Sequence, residues 1–317
     1  MLSSTLESRH NIRSEDDDMS KKVKVVENTQ KKEYKRRSQI AEVWHRLKKN
    51  KGAVIGLIVF AIIVLIAVLS GFIFDYDTQV IGNNVRDRLL SPCLEYPFGT
   101  DEMGRDLFVR VLYGARYSLA IGFVSTMVSL LIGLVLGSIA GFKGGIVENV
   151  IMRITDIFYS LPSILLAIAV ISALGQSVLN LMIAVGVSNA AAFCRVARAS
   201  VLTERDKDYV EAARAIGLTE SQIVLKHVLP NSLSPIIVQT TTRIAGAIIS
   251  AAGLSFLGLG VPLPAPEWGA LLSAGRGYLR DYGYMVIAPG VAIMITVLAV
   301  NIFGDGLRDA IDPKLKK

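Results

Sequence analysis

Residues 52–74, 117–142 and 285–304 each run without a single charged side chain. Crossing hydrocarbon takes about 20 apolar residues in a helix rising about 1.5 Å per residue, because only a helix satisfies its own backbone there. All three runs are long enough. A fourth uncharged block, 157–194, is too long for one span and breaks around LGQSVLN (174–180), so it reads as two. Residues 233–258 complete the set, interrupted only by Arg243. The expected fold class is therefore an all-α polytopic membrane protein with six transmembrane helices. The balance of 52% hydrophobic residues and a clearly positive mean hydropathy agree with that class. The first run follows a long polar stretch, exceeds the roughly 7–15-residue apolar segment of a signal peptide, and lacks a small-residue cleavage site. It is read as an anchored span. Cys93 and Cys194 lie far apart in sequence and are read as free thiols.

Charge placement orients the spans. Arg46, Lys48, Lys49 and Lys51 precede the first span and put the N-terminus in the cytoplasm by the positive-inside rule. Lys143 and Arg153 flank the next inside turn, and the 175–180 turn, with no basic residue, falls outside. The 195–231 loop carries Arg195, Arg198, Arg205, Lys207, Arg214 and Lys226, and the tail carries Arg308, Lys314, Lys316 and Lys317; both are inside. The expected organisation is a disordered cytoplasmic tail (1–38), an amphipathic cytoplasmic helix (39–51), a first span (52–74), an external loop (75–116), a core of five spans (117–304) and a cytoplasmic tail (305–317). Ile40, Val43, Trp44 and Leu47 stand at i, i+3, i+4, i+7 spacing, the apolar stripe of a helix lying on the lipid surface. Gly133, Gly137 and Gly141 stand one turn apart and allow another helix of the chain to approach closely. Pro162 and Pro289 should kink their helices.

The polar island YVEAARAIGLTESQIVLKHVLPN (209–231) reads as two short helices joined at Gly217, where a left-handed residue closes the first. Thr219 and Gln222 form a capping box for the second, which Pro230 is expected to stop. A DNA-binding helix–turn–helix shares this outline, but Thr219, Glu220, Ser221 and Gln222 offer no arginine to read guanine, and a duplex would have to lie against the bilayer. No nucleic-acid partner is expected. The hairpin reads instead as a docking element for a soluble cytoplasmic partner.

Glu211-Ala212-Ala213, then Gly217, then His227-Val228-Leu229-Pro230 resembles the EAA loop (here 203–231) of ABC importer permeases. Histidine at 227 resembles the dipeptide/oligopeptide/nickel branch. PFGTDEMGRDLFVRVLYGARYSL (97–119), GLSFLGLGVPLPAPEWGALLSAGRGYL (253–279) and GDGLRDAIDPKL (304–315) resemble the external segment, fifth-span exit and C-terminal signature of the same branch. The resemblance runs from about residue 40 to the end and is to the second, C-type permease of such systems. It implies the type I ABC importer transmembrane-domain fold, in the cytoplasmic (inner) membrane of a prokaryote. It also implies a homologous second permease, two ABC ATPase subunits that bind ATP and Mg, and an external substrate-binding protein, with peptide as the commonest cargo. By the same resemblance Glu211, Ala212, Ala213, Gly217, Leu229 and Pro230 couple to the ATPases. Some relatives carry a glutamate where this chain has Ala251.

The external stretch holds Gly99, Thr100, Asp101, Gly104, Arg105 and Asp106, readable either as a capped loop helix or as a contact with the binding protein. Trp268 in PLPAPEW (262–268) suits an interfacial anchor. The chain contains no GxxxxGK[ST] loop, no HExxH and no nucleophile elbow, and its three histidines are scattered. No cofactor, metal site or catalytic residue is therefore expected in this chain, only contact with lipid and with its partners. The alternative is a self-sufficient secondary transporter or channel, which generally needs ionisable residues within its spans; Arg243 is the clear candidate.

Overall fold

The computed structural model describes residues 39–311; the expected tail over 1–38 and residues 312–317 lie outside the described residues. The chain divides into two units at Trp44 and His45. Helix α1 (Gln39–Leu47) begins in the first, and every other element belongs to the second. Among the described residues the regular elements are helical. Five helices are long and apolar enough to cross a membrane, and a bent pair supplies a sixth span.

The first span is α2 (Lys51–Ile73), capped by Asn50, whose side chain accepts from the Ala53 N–H at 3.2 Å. The second, α3 (Leu107–Lys143), starts well before the uncharged run at 117, because Arg110 and Arg116 interrupt the apolar run without interrupting the helix. Asp106 sets that start by accepting from the Phe108 N–H at 2.8 Å. At about 1.5 Å per residue α3 rises about 55 Å, well past a hydrocarbon core of about 30 Å. Its N-terminal end therefore belongs to the loop region.

The third span is broken. Helices α4 (Gly145–Ser160) and α5 (Ser163–Leu174) meet at an angle of 93°. Pro162 cannot donate a backbone hydrogen bond and forces its predecessor out of helical geometry. Leu161 accordingly sits at φ −86°, ψ 138°. The kink expected at Pro162 is thus a full corner. Pro289, by contrast, lies inside the last helix, α11 (Tyr284–Ile311). The fourth span, α6 (Val178–Arg205), pairs with α3 along the longest interface in the molecule. A Cβ added to Gly133 would lie 2.3 Å from the Phe193 Cβ, and one on Gly137 2.4 Å from the Cys194 carbonyl oxygen. The glycine stripe is therefore the seam of two helices of the same chain, and Ser129 stitches it by donating to the Gly186 carbonyl at 2.7 Å.

The fifth span is α9 (Leu229–Phe256), followed by the short α10 (Trp268–Gly275). Ala251 is buried beside Ile121, Leu181 and Leu254, an apolar setting that would penalise a carboxylate. Several spanning hydroxyls are satisfied within their own helices: Thr126 donates to the Gly122 carbonyl at 2.7 Å and Thr296 to that of Ala292 at 2.8 Å, whereas the buried hydroxyls of Ser125 and Ser138 have no partner among the described residues. The free thiols are divided, Cys93 being exposed and Cys194 buried.

The α3–α6 seam has no room for a side chain. Gly137→Leu should lower stability by about 1–3 kcal/mol, the usual cost of overpacking. The measurement is the thermal unfolding midpoint of the purified protein in detergent. An unchanged midpoint would mean that the two helices do not close on one another as described.

Candidate functional site

Two polar assemblies stand at opposite ends of the spans. At one end α6 leaves the apolar core and turns at Asp206 into α7 (Asp208–Ala215). Gly217 then takes φ +85°, a left-handed conformation that costs an L-residue roughly 1–2 kcal/mol. The Leu218 N–H bonds the Ala213 carbonyl at 3.2 Å, and the Gly217 N–H bonds that of Arg214 at 3.0 Å. These two bonds are the glycine-closed C-terminus that satisfies the last carbonyls of a helix. The next helix, α8 (Glu220–Ile223), opens with the capping box read from the sequence. The Gln222 N–H donates to Thr219 Oγ1 at 3.4 Å, and the Thr219 N–H to Gln222 Oε1 at 3.1 Å.

Pro230 does not stop this second helix. The backbone widens into one π turn, Val224–Val228, and continues directly into α9, so Glu220–Phe256 is one helix. The Leu229 N–H reaches back five residues to the Val224 carbonyl. That wide turn gives room to the proline ring, which would strike the preceding turn in a regular helix. Asn231 Nδ2 donates to the His227 carbonyl at 2.7 Å, satisfying an acceptor beside the break.

The hairpin is two-faced. Val210, Ala213, Ile223 and Val228 are buried together with Phe142 and Val201 at the ends of α3 and α6. Burying side chains of this size is worth about 1.5–3 kcal/mol each for the larger ones. Glu211, Ala212 and Gly217 face outward, beside Ile216 at 78% and Leu225 at 65% exposure. Of the six residues expected to couple, Ala213 thus belongs to the hairpin's own core, Leu229 is half-buried, and Pro230 is exposed at the π turn. Tyr209 Oη donates to Glu204 Oε2 at 2.7 Å, tying α7 to the end of α6. Burial, reinforced by that carboxylate, pushes the Tyr209 phenol up to about 12, so it stays protonated and donating. A groove of about 850 Å³ beside the hairpin is lined by Lys143, Glu148, Arg205, Asp206, Arg214 and Glu220.

At the other end the chain ties itself together around two arginines. Asp101 is 3% exposed; its Oδ2 accepts from Arg105 Nε at 2.7 Å and lies 3.5 Å from Arg110 Nε. Its Oδ1 accepts from the backbone N–H groups of Met103 and Arg105 at 2.9 and 3.0 Å. Arg110, fully buried, donates to the carbonyls of Val80 at 2.9 Å and Pro264 at 3.2 Å. Gly104, at φ +75°, brings its Cα so close to Asn84 that an added Cβ would meet the carbonyl oxygen at 1.7 Å. Gly99 and Thr100 are buried beside Tyr284, whose hydroxyl donates to the Thr100 carbonyl at 3.2 Å. So Gly99, Thr100, Asp101, Gly104 and Arg105 are interior, and Asp106 is the helix cap. In this conformation the first five brace the fold, while Asp106 and the neighbouring Met103 remain accessible.

Trp268 also departs from expectation. It is 2% exposed, and its Nε1–H donates to the Val111 carbonyl at 2.8 Å, so it is a core residue and not an interfacial anchor. Glu267, buried beside it, caps α10 by accepting from the Gly269 and Ala270 N–H groups at 2.9 Å and accepts from Ser118 Oγ at 3.2 Å. Sequence reading singled out neither Arg110 nor Glu267. A charged residue just outside an apolar run was the available signal, and it looks the same for a solvated loop.

A family model described as binding-protein-dependent transport system inner membrane component matches residues 133–317. Another, the N-terminal TM domain of oligopeptide transport permease C, matches residues 38–92. The chain is 44% identical over 275 residues to the dipeptide transport system permease protein DppC of Alkalihalophilus pseudofirmus, spanning 87% of this chain and 90% of that one. It is 43% identical over 286 residues to the di/tripeptide transport system permease protein DppC of Pseudomonas aeruginosa, spanning 88% and 93%. It is 42% identical over 276 residues to the glutathione transport system permease protein GsiD of Escherichia coli, spanning 87% and 90%. A chain of the MetNI methionine ABC transporter, solved in inward facing conformations, matches with a TM-score of 0.53 at 25% identity, over 65% of this chain and 96% of its own. Spans and hairpin together have the fold of an ABC importer's membrane subunit. The chain belongs to the family of binding-protein-dependent transport system inner membrane components.

Asp101→Ala should remove the only carboxylate within 4.0 Å of Arg110 among the described residues. Breaking a buried pair on one side costs about 3–5 kcal/mol. The expected readout is rapid proteolysis at the 75–106 segment in intact vesicles, with the spans still inserted. Wild-type protease resistance would show that the brace does not depend on this pair.

Proposed function

We propose that this chain forms half of the translocation pathway of an ATP-driven importer of short peptides in the inner membrane of a prokaryote. The hairpin face is cytoplasmic and docks an ATPase subunit; the braced face is external and meets a substrate-binding protein. A homologous permease completes the pathway, and two ATPase subunits bind ATP and Mg. The observation that carries this reading is mechanical. The hairpin's second helix is the same rod as the fifth span, and its first helix is tied to the end of the fourth. A displacement of the outward patch around Glu211, Ala212, Ile216 and Leu225 therefore tilts two spans at once. Closure of the ATPase pair on ATP moves the hairpin, the pathway opens outward, and the binding protein releases its cargo into it. Relatives named for dipeptides, di/tripeptides and glutathione, itself a tripeptide, support short peptides as the cargo class.

The test is purification of the tagged chain from its native membrane, followed by reconstitution. A second six-span permease and ATPase subunits should accompany it, and Glu211→Lys should weaken that association. Gly217→Val forces a β-branched residue to φ +85° and should cut peptide uptake at least about tenfold, roughly 1.4 kcal/mol of coupling, while ATP hydrolysis persists. Wild-type uptake by Gly217→Val vesicles would sink the coupling assignment. A lone homo-oligomer moving solute without ATP would sink the class.

A further inference from the structure

The fifth span has two unlike faces. Ala245, Ile248 and Ala252 are buried; a Cβ on Gly122 of α3 would lie 2.5 Å from Ile248, and one on Gly269 of α10 2.5 Å from the Ala252 Cα. Gln239, Arg243, Gly246, Ser250 and Gly253 follow each other at alternating steps of four and three residues. They share one face within an arc of about 80°, at 100° per residue. Space beside this face is open: a Cβ added to Gly246 or Gly253 would meet nothing within 4 Å.

Arg243 stands on that face, about 20 Å along the helix from its Phe256 end, inside a hydrocarbon thickness of about 30 Å. Two neutral amides hold its guanidinium. Nη1 donates to Asn189 Oδ1 of α6 at 3.4 Å. With the Gln239 amide oriented so that its oxygen faces the arginine, Nε and Nη2 donate to it at 2.8 and 3.3 Å. Among the described residues no carboxylate lies within ion-pair distance. Of the acidic groups at the span ends, Asp156 accepts from Arg195 at 2.6 Å and Asp305 of α11 is exposed. A cation at membrane depth is costly and, where it faces a cavity, commonly marks a substrate or ion pathway. Amides orient the planar fork without neutralising it, which leaves donors for a bidentate contact with a carboxylate.

We propose that the Gln239–Gly253 face lines the translocation pathway and that Arg243 is its carboxylate-binding residue, meeting the C-terminal carboxylate of a passing peptide. The cargo half of this inference rests on the peptide reading above; the electropositive, water-facing lining does not. Selection by Arg243 would favour solutes with a free carboxylate and act after release from the binding protein. Because its partners are uncharged, the guanidinium attracts the anion without a competing internal ion pair.

The test uses the complete transport complex, with Cys93→Ser and Cys194→Ala removing the native thiols. A Gly246→Cys thiol should react about tenfold faster with an anionic sulfonate methanethiosulfonate than with a cationic trimethylammonium one, as expected near a fixed positive charge. Arg243→Gln should abolish that preference and Arg243→Lys retain most of it. In proteoliposomes supplied with binding protein, Arg243→Gln should reduce labelled dialanine uptake about tenfold or more, the loss expected for a charge-assisted hydrogen bond. Arg243→Lys should restore part of the uptake. The binding protein's affinity for dialanine, measured separately, stays constant throughout. A Gly246→Cys thiol inert to both reagents in a transporting complex would place lipid or protein against this face and overturn the inference. Undiminished dialanine uptake in Arg243→Gln would overturn the carboxylate role. No dialanine import by the wild-type complex, together with a retained charge preference of the Gly246→Cys thiol when Arg243 is intact, would overturn the peptide reading and leave the anion-selective lining standing.

Discussion

Hydrocarbon offers no hydrogen bonds, so a polar group carried into it is costly unless the protein supplies a partner. That requirement organises this molecule from its backbone outward. It selects helices for the spans, and it turns the hydroxyls of Thr126, Thr155 and Thr296 back onto the carbonyl one turn earlier. It also shapes the contacts between spans. Where helices must touch with no solvent to drive them together, close backbone approach replaces bulk, and Gly133, Gly137 and Gly141 provide it against α6. The same rule reaches the brace, where Arg110 is tolerated at zero exposure because Val80 and Pro264 turn carbonyls toward it and Asp101 supplies the countercharge.

The hairpin is rigid for different reasons at its two ends. Its turn is closed by backbone bonds through Gly217 and by the Thr219–Gln222 box, both local. Its base is closed by tertiary burial of Val210, Ala213, Ile223 and Val228 under Phe142 and Val201. Between base and membrane stands the π turn at Val224–Val228, which carries Pro230 without breaking the rod. A hinge here would absorb a push from a docked partner. The unbroken helix runs on into the fifth span, where Arg243 and the open glycine face stand.

The spans and the hairpin turn were legible in the sequence, because both depend on short-range chemistry. A run without charges, a glycine needing positive φ and a Thr-x-x-Gln pair carry their physics within a few residues. What escaped were positions whose partners lie far along the chain. Arg110 bonds residues 80 and 264, Glu267 meets Ser118, and Trp268 meets Val111. Nothing beside Trp268 in sequence distinguishes a buried indole from one resting at the lipid surface. The same blindness left Thr100, Asp101 and Arg105 readable either as a capped loop helix or as a contact surface, because their internal hydrogen bonds do not show in the sequence.

By itself, then, the sequence determined that this chain crosses a membrane, roughly where, and that it carries a capped helical hairpin between its fourth and fifth spans. Those properties follow from transfer energies and local backbone preferences, which neighbouring residues set. Only the tertiary structure decided that the third span turns a 93° corner, that Pro230 rides within a helix, and that the 99–105 motif is a buried brace. Each of these depends on whether a polar or strained group finds a partner dozens of residues away, and that is a property of the folded arrangement alone.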